Sequence, residues 1–192
     1  MDQRGLVVRA RGGDHDAYTA LVDLTVARLD SAARLILRDP ELARDAVQES
    51  LIRAWRDLPG LRDPDRFDAW LHRLMVHSCL DLARRRRRRV IEVELEQIDM
   101  PSSDMPSSSD FATGVADREL LSEALQRLDP KHRAVVVLHY YLGMPLSDVA
   151  GAMGIPLGTA QSRLYYAIAS MRSSVIEPPA TGPAPLPGGT PA

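Results

Sequence analysis

The stretch Pro145 to Arg172, PLSDVAGAMGIPLGTAQSRLYYAIASMR, constrains this chain more than any other, because it reads as two short helices joined by a tight turn. Leu146, Val149, Ala150 and Met153 recur at helical spacing on one apolar face, and Pro145 suits a helix start. Gly154 ends that helix, and Pro156 and Leu157 restart the chain. Along the second helix Ala160, Leu164, Ala167, Ile168 and Met171 form the apolar stripe. Gly158, Thr159, Gln161, Ser162, Tyr165 and Tyr166 point away from it, with Arg163 on the flank. Gln, Ser and Thr suit base edges and Arg suits phosphates, which equips a helix-turn-helix to enter a major groove. The plainer alternative is an αα-hairpin whose outer face is merely solvated.

A chain of 192 residues has room for two small domains, each with a modest core. Its formal charge of −2 hides a strong division. Residues 1–90 carry 18 arginines against 14 acids, residues 91–128 carry 2 against 9, and residues 129–192 carry 4 bases against 3. A basic beginning and an acidic middle fit a nucleic-acid partner for the first part. Cys79 stands alone, so no disulfide framework and no paired-cysteine zinc site is expected, and a reducing compartment follows. Neither a signal peptide nor a long apolar run is read, and the expectation is a cytoplasmic protein with no membrane insertion.

From the N-terminus, a short helix near Leu6 to Arg11 and a long one from His15 to Leu37 are expected, with Asp14 as the cap between them. The next helix, Glu41 to Leu58, buries Val47, Leu51, Ala54 and Leu58. Its other face carries Asp45, Gln48, Glu49, Arg53 and Arg56 around an apolar Ile52, which has the anatomy of a small protein contact; a solvated face with one stray Ile is the alternative. After a loop at Pro59 to Pro64 comes a helix from Phe67 to Arg89. Phe67, Leu71, Leu74, Met75, Ser78 and Leu82 make its main stripe, and Ala69, Val76, Leu80 and Ala83 a second that another helix could cover. Between them Arg66, Trp70, Arg73, His77, Asp81 and Arg84 share an arc of roughly 80°. Guanidinium groups with an interleaved ring suit single-stranded DNA, although Trp70 completing the core fits the same pattern. Six consecutive arginines, Arg84 to Arg89, exceed what a helix cap needs and read as a phosphate-tracking patch, a solvated tail being the alternative.

Val90 to Gly114, acidic and then rich in Ser and Pro, reads as a flexible linker. Helices are expected again over Val115 to Leu128 and Lys131 to Leu142, with Asp129-Pro130 starting the second; a β-hairpin at Gly143 competes for the valine run. A disordered Pro-rich tail from Glu177 to Ala192 closes the chain. The expected fold is therefore all-α. Two small helical domains, residues 1–89 and 115–176, are joined by the linker 90–114 and followed by the tail 177–192.

Two blocks in this order resemble the bacterial RNA polymerase sigma factors of the sigma-70 family, extracytoplasmic-function (ECF) group. DAVQESLIRAWRDL, FDAWLHRL and LDLARRRRRR look like region two; LDPKHRAVVVLHYYLG and GIPLGTAQSRLYYA look like region four. The resemblance implies a factor that binds core polymerase and directs promoter-specific initiation. On it, Asp45, Gln48, Glu49, Ile52, Arg53 and Arg56 dock on the clamp helices of the largest subunit, with further contact at the flap region. Leu61, Arg62, Arg66, Trp70, Arg73, His77 and Arg84 open the minus-ten element and capture an unstacked base. Thr159, Gln161, Ser162, Arg163, Tyr165 and Tyr166 read the minus-thirty-five element in duplex DNA. An anti-sigma protein is a further implied partner. Where this chain has Gln161 and Tyr165-Tyr166 the family usually has basic residues, which implies weaker phosphate affinity and a divergent minus-thirty-five sequence. His77 stands where Asn is common, and Leu61 where the capture loop often has a bulky aromatic.

An independent helix-turn-helix regulator is the competing function; it would bind duplex DNA unaided and leave the Asp45 to Arg56 face without use. A metal site on His72, His77 and Cys79 is awkward, since His77 points roughly 140° from His72 around the helix. With no carboxylate pair in a pocket, nucleophile triad or phosphate-cradling glycine loop, the expectation is a non-enzyme with no cofactor and no metal.

Overall fold

A computed structural model describes residues 2–96 and 115–176. Most of the linker and all of the Pro-rich tail, with their expected flexibility, lie outside the described residues. Eight α-helices make up the described part, and no strand occurs among these residues. They are α1 Gln3–Arg11, α2 His15–Leu37, α3 Pro40–Asp57, α4 Phe67–Glu96, α5 Val115–Gln126, α6 Pro130–Val136, α7 Leu146–Met153 and α8 Leu157–Ile176.

Aspartate sets several of the starts. Asp14 accepts a bond from the Ala17 amide at 2.9 Å, Asp39 from the Glu41 and Leu42 amides at 3.0 Å, and Asp129 from Lys131 at 2.8 Å and His132 at 2.9 Å. Each satisfies donors that the first helical turn leaves unpaired, and Pro40 and Pro130 follow with a φ already suited to a helix. Gly154 stops α7 with φ of 64°, a left-handed conformation that costs a glycine little. The valine run remains helical: α6 passes into a π-helical turn at Val137–Tyr141, closed by the Leu142 amide on the Val137 carbonyl at 3.0 Å.

In the first half α2, α3 and α4 pack around Leu21, Leu29, Ile36, Leu58, Phe67, Leu71 and Met75. In the second, α5, α6 and α7 pack on α8. Both expected helical domains are present, and beyond the linker between them they are also in direct contact. The halves share one core, in which Val135, Leu138, Leu142, Met144 and Val149 are continuous with the buried residues of α2 and α4. The physical reason is on α4, whose two apolar stripes need two covers; α3 lies on one side of it, and α7 supplies the other. Arg28 Nη2 donates to the Leu142 carbonyl at 3.0 Å and Arg38 Nη2 to Ser122 Oγ at 2.7 Å, tying α2 to the second half at two points. Helix α4 also continues to Glu96, past the expected end at Arg89.

Candidate nucleic-acid interface and docking groove

The six residues singled out on α3 come together. Asp45, Gln48, Glu49, Ile52, Arg53 and Arg56, with Asp57 and Leu74, line one shallow groove of about 620 Å³. Ile52 is 61% exposed at its centre, flanked by the Glu49–Arg53 ion pair. The Asp57 carboxylate, 3.0 Å from Arg56 Nε, raises that guanidinium above its ordinary value. Ile52 and Gln48 also border a second groove of about 380 Å³ floored by Val26, Val47 and Leu51. An apolar floor with a charged rim is what a protein partner binds.

Of the residues singled out for melted DNA, Arg62, Arg66, Arg73 and Arg84 are exposed, while Trp70 and His77 are half-buried. Trp70 leans on Phe67 with ring centroids 6.1 Å apart and packs partly against the core, its remaining surface exposed. Arg84 bonds Asp81 and the Leu80 carbonyl, which orients it along α4. Leu61 is different. It is 8% exposed and packs in the core, so its side chain offers no surface to a base in this arrangement; an apolar residue ending a short turn is drawn inward by the burial it gains.

On α8, Gln161, Ser162, Tyr165 and Tyr166 are exposed and Thr159 and Arg163 half-buried. Ser162 Oγ donates to the Thr159 carbonyl at 3.1 Å. The two tyrosine rings stand edge to face at 5.8 Å. Gln161 and Tyr165 share a groove of about 530 Å³ with Tyr140, Leu146, Leu164, Ile168, Ala169 and Arg172. Tyr140 was not anticipated as part of this surface. Its signal was available: the spacing that turns Ala134, Val135 and Leu138 inward leaves Tyr140 outside the stripe, and it is 63% exposed.

His72 and Cys79, considered above with His77 for a metal, are buried in the core, whereas His77 is half-exposed. Burial pushes the Cys79 thiol up to about 12, which leaves it unreactive. No cluster of three metal-binding side chains, and no helix long and apolar enough to cross a membrane, occurs among the described residues.

Residues 21–89 match the Sigma-70 region 2 family and residues 118–171 the Sigma-70, region 4 family. The ECF RNA polymerase sigma factor SigL of Mycobacterium tuberculosis is 34% identical over 159 residues, covering 82% of this chain and 88% of the relative. The RNA polymerase sigma-E factor of Streptomyces avermitilis is 35% identical over 151 residues, 78% of this chain and 79% of that one. Among solved structures, CnrH in complex with the cytosolic domain of CnrY aligns with a TM-score of 0.63 and 26% identity over 91% of this chain and 97% of CnrH. The sigma factor RpoE of Bartonella quintana, solved with the anti-sigma factor NepR, has the same fold, with a TM-score of 0.65 and 21% identity over 83% of this chain and 96% of that chain.

Proposed function

We propose, from the premise that this chain belongs to the ECF RNA polymerase sigma factors of the sigma-70 family, that its three exposed surfaces divide the work of promoter-directed transcription initiation among them. The α3 groove docks on the clamp helices of the largest polymerase subunit, and the second half contacts the flap region. The strip Arg66, Trp70, Arg73, His77 and Arg84, with Arg62 in the preceding loop, holds the melted minus-ten element, arginines on phosphate and the exposed part of Trp70 against a base. Helix α8 enters the major groove of the minus-thirty-five element with Gln161 and Ser162 toward base edges and Arg163 toward phosphate.

The observation that carries this reading is the α3 groove. A regulator that bound duplex DNA unaided has no use for an exposed isoleucine ringed by all five polar residues of the family's docking motif. Residues 1–89 then form the region-two unit, 90–114 the linker and 115–176 the region-four unit, and the protein acts in the cytoplasm, where the polymerase performs the chemistry and this chain none. An anti-sigma protein seated on the α3 or α8 groove is the natural inhibitor, in line with a neighbour, CnrH, solved in complex with another protein's cytosolic domain.

Capture of purified bacterial core polymerase by the wild type and by Ile52→Asp tests the assignment. At least a tenfold loss of capture with an unchanged helical spectrum is expected; equal capture by the variant would remove the groove from the docking surface.

A further inference from the structure

A fourth cavity, of about 490 Å³, belongs to none of these surfaces. It lies where the two halves meet, walled by Leu37 and Leu42, by Ala83, Arg86 and Arg87 of α4, and by Pro130 and Arg133 of α6. It therefore depends on α6 lying against the first half.

Its charges are unbalanced. Arg133 is only 8% exposed, and its Nε is buried with no hydrogen-bond partner among the described residues. Burial first, and then the like charge of Arg38, holds this guanidinium down to about 10, against the opposing pull of Asp129. Arg38 is itself lowered by burial. The two nearby carboxylates already hold other partners, Asp39 on Arg86 of the pocket wall itself, while Asp129 attracts Arg133 without pairing with it. Asp39 caps α3 with one oxygen and pairs with Arg86 at 2.6 Å through the other; Asp129 caps α6 and pairs with His132 at 3.0 Å. Neither Arg87 nor Arg133 has a carboxylate at ion-pair distance among the described residues. A desolvated guanidinium beside others of its sign weakens a fold unless an anion meets it. The planar fork of arginine matches the oxygens of a phosphate, which accepts two parallel bonds from it. The remaining walls, Leu37, Leu42, Ala83 and Pro130, are apolar and offer room for a base or sugar beside the phosphate.

We propose that this junction pocket is a binding site for a small phosphate compound, inorganic or the phosphate end of a nucleotide, held by Arg133 and Arg87, and that its occupancy ties α6 to α4. The ligand thereby favours the arrangement in which the two halves share a core.

Titration calorimetry of the full chain at constant ionic strength, with pyrophosphate and separately with GTP, tests this in the wild type and in Arg133→Gln, Arg87→Gln and Arg89→Gln. One-to-one binding of pyrophosphate is expected, abolished in R133Q, weakened at least tenfold in R87Q and changed less than twofold in R89Q, whose side chain does not line the pocket. Arg87 is exposed, so R87Q keeps the test open if R133Q fails to fold. Tighter binding of GTP assigns the apolar wall to the nucleoside; equal binding assigns the site to phosphate alone. No binding by the wild type, or equal losses in R87Q and R89Q, which mark a diffuse arginine surface, would overturn the proposal. In hydrogen exchange, pyrophosphate should slow the α6 amides of the wild type and leave those of R87Q unchanged; no slowing in the wild type would refute the tie between α6 and α4.

Discussion

Arg28 on α2 reaches across the junction of the two halves and donates from Nη2 to the backbone carbonyl of Leu142 at 3.0 Å. Leu142 follows the π-helical turn, where the ladder ends and its carbonyl needs a donor from elsewhere. One side chain of the first half thus completes a helix end of the second. The same guanidinium lies close enough to His72 on α4 to depress its protonation.

Replacing Arg28 with Met should loosen this junction without unfolding either half. Arg28 is exposed as a residue and its bond is only part-buried, so the bond contributes about 1 kcal/mol, toward the low end for a charged donor. Energy transfer between dyes placed on α3 and α8 should fall in the variant. Unchanged transfer would mean that the apolar contacts alone hold the halves together.

Acid should weaken the fold through His72. Burial chiefly, with help from the Arg28 charge and against that of Asp68, lowers its proton affinity below the ordinary value of 6.5. A depressed pKa means that the unfolded chain binds the proton more readily, so the stabilisation is complete above pH 6.5 and is lost as pH falls below it. The urea midpoint should drop between pH 7.5 and pH 5.5, and His72→Leu should flatten that slope. An equal slope in the variant would place the titrating group elsewhere.

Gln161 and Arg163 should separate in DNA binding. Arg163→Ala should weaken every sequence alike, whereas Gln161→Ala should shift preference at one base position by about 1–3 kcal/mol. Binding of the full chain to a minus-thirty-five duplex library reports both, and a uniform loss for Gln161→Ala would end its assignment to base reading. The salt dependence should also be shallow for a helix-turn-helix, because Gln161 and the two tyrosines bring no charge to α8.

Leu138 is fully buried in the core shared by the halves, and Leu138→Ala should cost about 2–5 kcal/mol. Exposed Gln48→Ala should stay within about 0.5 kcal/mol. Chemical denaturation of both distinguishes them; a small loss at Leu138 would show that the junction repacks around the missing side chain.

Much of this was legible in the residues because it is local. Asp14, Asp39 and Asp129 mark helix starts through their own hydrogen bonds, and Gly154 marks a stop through its φ. The α3 groove was legible because helical spacing alone brings Asp45, Gln48, Glu49 and Ile52 to one side. What could not be read depends on long-range packing. The second stripe of α4 offered a face that another helix could cover, but nothing in Val76 or Ala83 names α7. Leu61 sits in a loop whose composition suggests exposure, and only the packed core draws it in. Arg133 looks like any helical arginine until α6 docks and buries it.

Run-off transcription by bacterial core polymerase, with and without this protein, on a library of upstream sequences tests the central claim most directly. The account predicts transcripts from a subset of sequences sharing two spaced elements, lost when Asp45 and Glu49 are both changed to Lys. No added transcript, with the protein alone gripping duplex DNA and indifferent to those two changes, would contradict it.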